Sequence, residues 1–203
     1  AHLQTVRGAG YRLVLTGGRT APATQPLYGR EGERAAVANA LLAHRLVTLA
    51  GPGGMGKTTL ARAVVADELA AGGVAWTVAL GPARGVRDLL DALAAALGLR
   101  ASGSEGALRA AVGRALAAGP PALIVLDNAE QVVVAVGSLV GELMAVAPGL
   151  RILVTSRIHL SRQAEHVIEL GPLAVSAGVQ LFLARASGAP DRKAVRELVR
   201  RLD

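Results

Sequence analysis

A chain of 203 residues can hold one sizeable core and a small additional module, and 52% apolar with 2% aromatic content means a core of Ala, Val and Leu. The absence of cysteine excludes disulfides, a thiol nucleophile and cysteine-based zinc sites, and fits a reducing compartment. A formal charge of +7 favours anionic partners such as nucleotide or nucleic acid; an arginine-rich coding bias gives the same number, so charge alone does not choose.

No apolar run approaches the roughly 20 residues that span a bilayer, and the N-terminus, AHLQTVRGAG, is not a signal peptide. A cytoplasmic location and no membrane partner are expected. The first residue is Ala1 rather than Met, so the chain reads as a piece of a longer protein.

Residues 1–15 read as a β-hairpin. Leu3 and Thr5 alternate with Gln4 and Val6, Gly8-Ala9-Gly10 turns, and residues 11–15 return. The run Leu3-Gln4-Thr5-Val6-Arg7-Gly8-Ala9-Gly10-Tyr11-Arg12-Leu13 resembles the terminal hairpin, or wing, of OmpR-like winged-helix DNA-binding domains. That resemblance implies DNA contact at Arg7 in a full-length protein. The recognition helix that reads bases is absent from this sequence, so specific DNA binding by this stretch alone is not expected.

Residues 16–26, TGGRTAPATQP, lack any hydrophobic period and read as a linker. Leu27-Tyr28-Gly29-Arg30-Glu31 then leads into a helix over residues 33–44, with Ala36, Val37, Ala40 and Leu41 at helical spacing. Its acidic start also suits a helix N-terminus.

Leu46-Val47-Thr48-Leu49-Ala50 reads as a buried strand. It breaks into Gly51-Pro52-Gly53-Gly54-Met55-Gly56, after which Lys57, Thr58 and Thr59 open a helix. This is G-x-x-x-x-G-K-[ST] in a strand–loop–helix setting. Glycines let backbone N–H groups converge on phosphate oxygens, the helix N-terminus adds positive potential, Lys57 reaches the terminal phosphates and the Thr58 hydroxyl ligates Mg²⁺. Twenty of the 22 basic residues are arginine; the lysines are Lys57 and Lys193. A lysine at this position marks a site for a slim point charge.

A helix over 59–71 ends at Gly72-Gly73, a strand covers 74–80, and helices follow over 86–97 and 105–118, with Arg87, Asp88 and Asp91 on exposed faces. Ala122-Leu123-Ile124-Val125-Leu126-Asp127 is an apolar run ending in a carboxylate, where a parallel sheet presents its ligand edge. This is the Walker B pattern, with Asp127 holding Mg²⁺ through water. Asn128 follows, and an amide cannot take a proton from attacking water. Glu130 is either the substitute base or a first-turn helix carboxylate. A helix over 131–146 and a strand over 150–157 come next, the strand ending Thr155-Ser156-Arg157. Residues 166–170 form a last strand. A helix over 175–187 turns Leu181, Phe182 and Ala186 inward, and residues 190–203 begin an arginine-rich helix. His2, His44, His159 and His166 share no ligand spacing.

These motifs, over residues 27–203, resemble the NB-ARC-like signal-transducing P-loop ATPases, the class with numerous domains. The resemblance implies an α/β three-layer sandwich with a five-stranded parallel sheet of order 5-1-4-3-2. It further implies that Tyr28 and Arg30 pass over the adenine, that Arg157 senses the γ-phosphate, and that 174–203 begin a helical lid. The domains expected are the hairpin (1–15), a linker (16–26), a nucleotide-binding domain (27–173) and the start of the lid (174–203). Together with the hairpin, the resemblance implies an ATP/ADP- and Mg²⁺-binding switch of a bacterial regulator, self-associating with ATP, acting on promoter DNA through a winged-helix domain, and hydrolysing slowly. A fast ATPase or phosphotransferase, and a non-hydrolysing scaffold, are the alternatives. No guanine-reading Asn/Thr-Lys-x-Asp motif is present, which leaves adenine by default.

Overall fold

The computed structural model describes residues 2–6, 10–14, 26–100, 103–186, 188 and 190–202, with side chains described among these from residue 26 to residue 201. Strands β1 (His2–Val6) and β2 (Gly10–Val14) pair antiparallel, from His2 opposite Val14 to Val6 opposite Gly10, as a sheet of their own. Arg7 and the expected turn residues Gly8 and Ala9 lie outside the described residues, as does the linker up to residue 25, while Gly10, expected in the turn, opens β2.

The main sheet contains β3 (Leu46–Ala50), β4 (Val74–Ala79), β5 (Ala122–Asp127), β6 (Leu150–Ser156) and β7 (Glu165–Glu169). All pairs are parallel, in the order β4-β5-β6-β3-β7. Numbered within this sheet the order is 2-3-4-1-5, the expected order read from the other edge. β3 and β5 are buried throughout, and β6 nearly so, because helices cover both faces; at the edges, β4 and β7 are mostly half-buried.

Alternation along the strands divides the core in two. Ile124, Leu126, Ile152 and Val154 face α3 (Val86–Ala96), α4 (Glu105–Ala118) and α5 (Val133–Val146), packing with Leu89, Leu93, Val112, Val136 and Leu139. Leu123, Val125, Leu153, Val47 and Leu49 face α1 (Glu31–Ala43) and α2 (Lys57–Ala70), packing with Val37, Leu41, Leu60 and Val64. This is the expected three-layer sandwich. α2 stops where Gly72, at φ +81, lets the Gly72 and Gly73 amides donate back to the Leu69 and Glu68 carbonyls.

Two local expectations change. The helix expected from residue 131 is preceded by a 3₁₀ turn, Ala129–Gln131, because Asn128 adopts a left-handed φ of +61° as the chain leaves β5. In α6 (Val175–Arg185), the buried residues are Ala177 and Val179. Phe182 is 37% exposed, while Leu181 and Ala186 are only half-buried. α6 packs chiefly on α7 (Arg192–Leu202), and one partner helix cannot cover a wide apolar face.

Candidate functional site

The loop between β3 and α2 owes its shape to three glycines. Gly51, Gly54 and Gly56 have φ of +143°, +82° and +88°, a backbone region side chains disfavour. At Gly51 space is closed as well, since a Cβ there would lie 2.5 Å from the Leu170 carbonyl oxygen. Pro52, Gly53 and Gly54 are exposed at the carboxyl edge of the sheet, Met55 is half-buried against the α1–α2 core, and Thr59 is half-buried behind Thr58.

Lys57 opens α2 and is buried. Its Nζ donates to the Gly51 carbonyl at 2.6 Å and the Pro52 carbonyl at 2.7 Å, so the ammonium crosses the base of the loop. Burial lowers its pKa. The Glu130 carboxylate opposes that shift, the Arg157 cation adds to it, and Asp127 opposes it, with a net lowering.

Asp127, the last residue of β5, is buried and accepts two hydroxyl hydrogen bonds on Oδ1: from Thr58 at 2.7 Å and from Thr155 at 2.6 Å. The Asn128 backbone N–H donates to Thr155 Oγ1 at 2.9 Å. Thr155 therefore fixes the end of β5 from the neighbouring strand. It is a residue that reading along the chain passes over; the available signal was a hydroxyl at the carboxyl end of an otherwise apolar buried strand. Parallel pairing supplies the reason: β6 lies between β5 and β3, with Leu126 opposite Val154 and Thr155 opposite Leu49.

Glu130 sits in the 3₁₀ turn. Its Oε1 is 3.4 Å from Arg157 Nε, while its Oε2 is buried with no hydrogen-bond partner among the described residues. Arg157 lies against the phosphate loop, where a Cβ on Gly53 would be 3.3 Å from its Nη2. Glycine at 53 is thus what lets the guanidinium approach. Lys57, Thr58, Asp127, Glu130 and Arg157 converge on one loop from three neighbouring parts of the sheet.

Arg30 behaves differently. It is 5% exposed and donates to the Gly171 carbonyl at 2.5 Å and the Met55 carbonyl at 3.3 Å, with Glu33 paired to its other nitrogen. It thereby clamps the loop to the chain leaving β7. Burial would raise the Glu33 carboxyl, but the hydrogen bonds from Arg30 and its own backbone, with the Arg30 charge, hold it below its ordinary value. Tyr28 is half-buried just ahead of this clamp. Gly29, at φ +61, packs so closely on Ala177 that a Cβ would lie 2.3 Å away.

The donor set fits a nucleotide with a divalent cation. A glycine nest with a buried lysine suits phosphate oxygens. A threonine hydroxyl and an aspartate oxygen already 2.7 Å apart suit a hard, oxygen-binding ion such as Mg²⁺. Among the described residues no cluster of three or more His, Cys, Asp or Glu could hold a metal by protein ligands alone, and no helix is long and apolar enough to cross a membrane.

Known proteins agree with this geometry. Residues 42–161 match the family described as AAA domain. A Mycobacterium tuberculosis protein, named provisionally an HTH-type transcriptional regulator, is 34% identical over 177 residues. That alignment covers 81% of this chain and 19% of the relative, so the chain spans about a fifth of that protein's length. Among solved structures, Cdc6p of Pyrobaculum aerophilum superposes with a TM-score of 0.66 at 17% identity, over 87% of this chain and 57% of that one. A STAND protein with a tetratricopeptide repeat sensor from Pyrococcus horikoshii gives 0.53 at 17% identity, over 86% and 28%. With the match across the whole phosphate loop and both following strands of the site, the chain belongs to the AAA family of P-loop ATPase domains.

Proposed function

We propose that this domain is a nucleotide-operated regulatory switch, binding ATP or ADP with Mg²⁺ and hydrolysing slowly, within a bacterial winged-helix transcriptional regulator. One observation carries the reading: Glu130, the acid that follows Asp127, is paired with Arg157, while the intervening Asn128 cannot act as a base. The group best placed to activate water is therefore tied to the group best placed to meet a terminal phosphate. That suits a device that registers the nucleotide better than one built for turnover.

The Gly51–Gly56 backbone amides and Lys57 would hold the phosphates, and Thr58 and Asp127 the cation. Bound Mg²⁺ would supply positive charge to the phosphate oxygens. Tyr28 would flank the base, and Arg30 would brace the loop from behind. Arg157 would leave Glu130 for a γ-phosphate, and this exchange of partners would bias the following α6–α7 lid and an ATP-dependent self-association. The regulator's name and the antiparallel hairpin support the link to promoter DNA, which would be reached through a winged-helix domain carrying Arg7.

A scaffold that retains nucleotide without turning it over is the second reading, favoured by Asn128. The experiment is mant-ATP and mant-GTP binding with Mg²⁺, to wild type and to Lys57→Ala. Saturable ATP binding, weaker GTP binding and loss of both in the variant are expected, roughly 100-fold or more for a buried phosphate-binding cation. Equal binding by Lys57→Ala would sink the reading. Retained ADP with no phosphate release over hours would select the scaffold.

A further inference from the structure

The arginines of this protein differ in how they are grouped. On the α/β core several guanidinium groups are matched, Arg34 to Asp67, Arg87 to Asp91, Arg109 to Glu105 and Glu142, and Arg151 to Glu68, while Arg62, Arg84 and Arg114 are exposed without an ion-pair partner among the described residues but stand singly, on α2, before α3 and on α4. On α7 unpaired cations stand together. Arg192, Lys193, Arg196 and Arg200 are all exposed, and among the described residues none has an ion-pair partner. The two acids nearest them are committed elsewhere, Asp191 to the Lys193 and Ala194 amides at the helix start and Glu197 to Arg201.

Helix geometry gathers these four cations. At 100° per residue they fall within a sector of about 100°, and Arg192, Arg196 and Arg200 form an i, i+4, i+8 row about 12 Å long. Like charges at i, i+4 oppose the helix that carries them. An uncompensated row of this kind gains from an anionic surface with repeated charges.

We infer that the Arg192–Lys193–Arg196–Arg200 flank of α7 is a sequence-independent binding surface for the phosphate backbone of duplex DNA. Much of the apolar edge of α7 is already occupied, leaving Leu198 exposed: Val195 is buried, and Val199 packs so closely on α6 that a Cβ on Gly178 would lie 2.8 Å from its Cγ1. An amphipathic helix that enters a membrane needs that edge free, so a lipid surface fits less well. The row carries cations without aromatic side chains, which suits backbone contact and not base stacking. This surface is separate from the nucleotide site and does not depend on its reading.

The test is fluorescence anisotropy with two 20-bp duplexes of unrelated sequence. Wild type is compared with a variant carrying Arg192→Gln, Arg196→Gln and Arg200→Gln, and with one carrying Arg62→Gln, Arg84→Gln and Arg114→Gln, three exposed arginines of the core. Glutamine keeps helix propensity close to that of arginine, and circular dichroism checks the fold. Wild type should bind both duplexes alike, with a log–log salt slope of about −3. The α7 variant should lose about tenfold or more at low salt and flatten that slope; the core variant should change less than about twofold. No duplex binding, equal loss in both variants, or tighter binding to phosphatidylglycerol vesicles or polyglutamate than to duplex would each overturn the proposal.

Discussion

The cation side and the phosphate side of the site are built in opposite ways. On the cation side, Thr58 and Thr155 hydroxyls hold Asp127 in a network anchored on two adjacent central strands. On the phosphate side, Lys57 is satisfied by the carbonyls of its own loop, and the exposed Arg157 guanidinium pairs at 3.4 Å with Glu130. One side is preorganised by the sheet. The other is held by contacts that bound phosphate oxygens would have to replace. Affinity for the cation should therefore depend on rigid geometry, and affinity for phosphate on an exchange of partners whose cost is set by how firmly the present ones hold.

The sharpest way to break this contrast is Asp127→Asn. It keeps the shape of the carboxylate and removes its charge, so nucleotide binding should persist while the Mg²⁺ contribution collapses. A drop of the order of tenfold in affinity with Mg²⁺, and almost none in EDTA, is expected for loss of one charged ligand. Titration of mant-ATP with and without Mg²⁺ reads it directly. Equal losses in both conditions would place Asp127 outside the cation site.

Thr155→Val tests whether the sheet preorganises that side. Valine fills the same volume but removes the hydroxyl that donates to Asp127 and accepts from the Asn128 amide. Leaving those groups buried without it should cost about 1–3 kcal/mol in urea unfolding, with unchanged m. Mg²⁺ dependence should weaken alongside. A variant as stable as wild type would mean that Asp127 is positioned by its own strand alone.

Arg157→Ala probes the phosphate side. On the proposed reading wild type should distinguish ATP from ADP, because only ATP would draw the guanidinium from Glu130. The variant should bind the two within about twofold of each other, a small effect because an exposed guanidinium is well solvated. Its companion, Glu130→Gln, should release Arg157 and, if Glu130 is the base, abolish residual phosphate release. Unchanged turnover in Glu130→Gln removes Glu130 from catalysis while leaving its pairing role intact.

The contrast also explains what could be read from the sequence. The phosphate loop, Lys57 and Thr58 are consecutive, and a local motif fixes their geometry. β3, β5 and β6 were legible because burial on both faces demands unbroken apolar runs such as ALIVLD. Thr155 was not legible as a partner of Asp127, since that contact depends on β6 being inserted between β5 and β3. Nor was the inward turn of Arg30, which depends on a carbonyl 141 residues away. The inward face of α6 failed for a related reason: apolar spacing marks a face, but how much of it is covered depends on the neighbours the fold supplies.

Arg30 also gives the smallest predicted effect, and it is one of pH. Glu33 is held below its ordinary value of about 4.5, so the folded state binds its proton less readily than the unfolded chain. The stabilisation is then fully present above that value and fades as pH falls through the lower, folded-state value. Glu33→Gln removes the titration while keeping a polar contact to Arg30. The variant should be slightly less stable than wild type near pH 7, by well under 1 kcal/mol for a pair that is a third exposed on the glutamate side, and the gap should close as pH falls through the lowered, folded-state value. Urea midpoints across pH 3–7 measure it. A gap that persists unchanged at acid pH would show that Arg30 is positioned by the Gly171 and Met55 carbonyls, with Glu33 contributing shape and no charge.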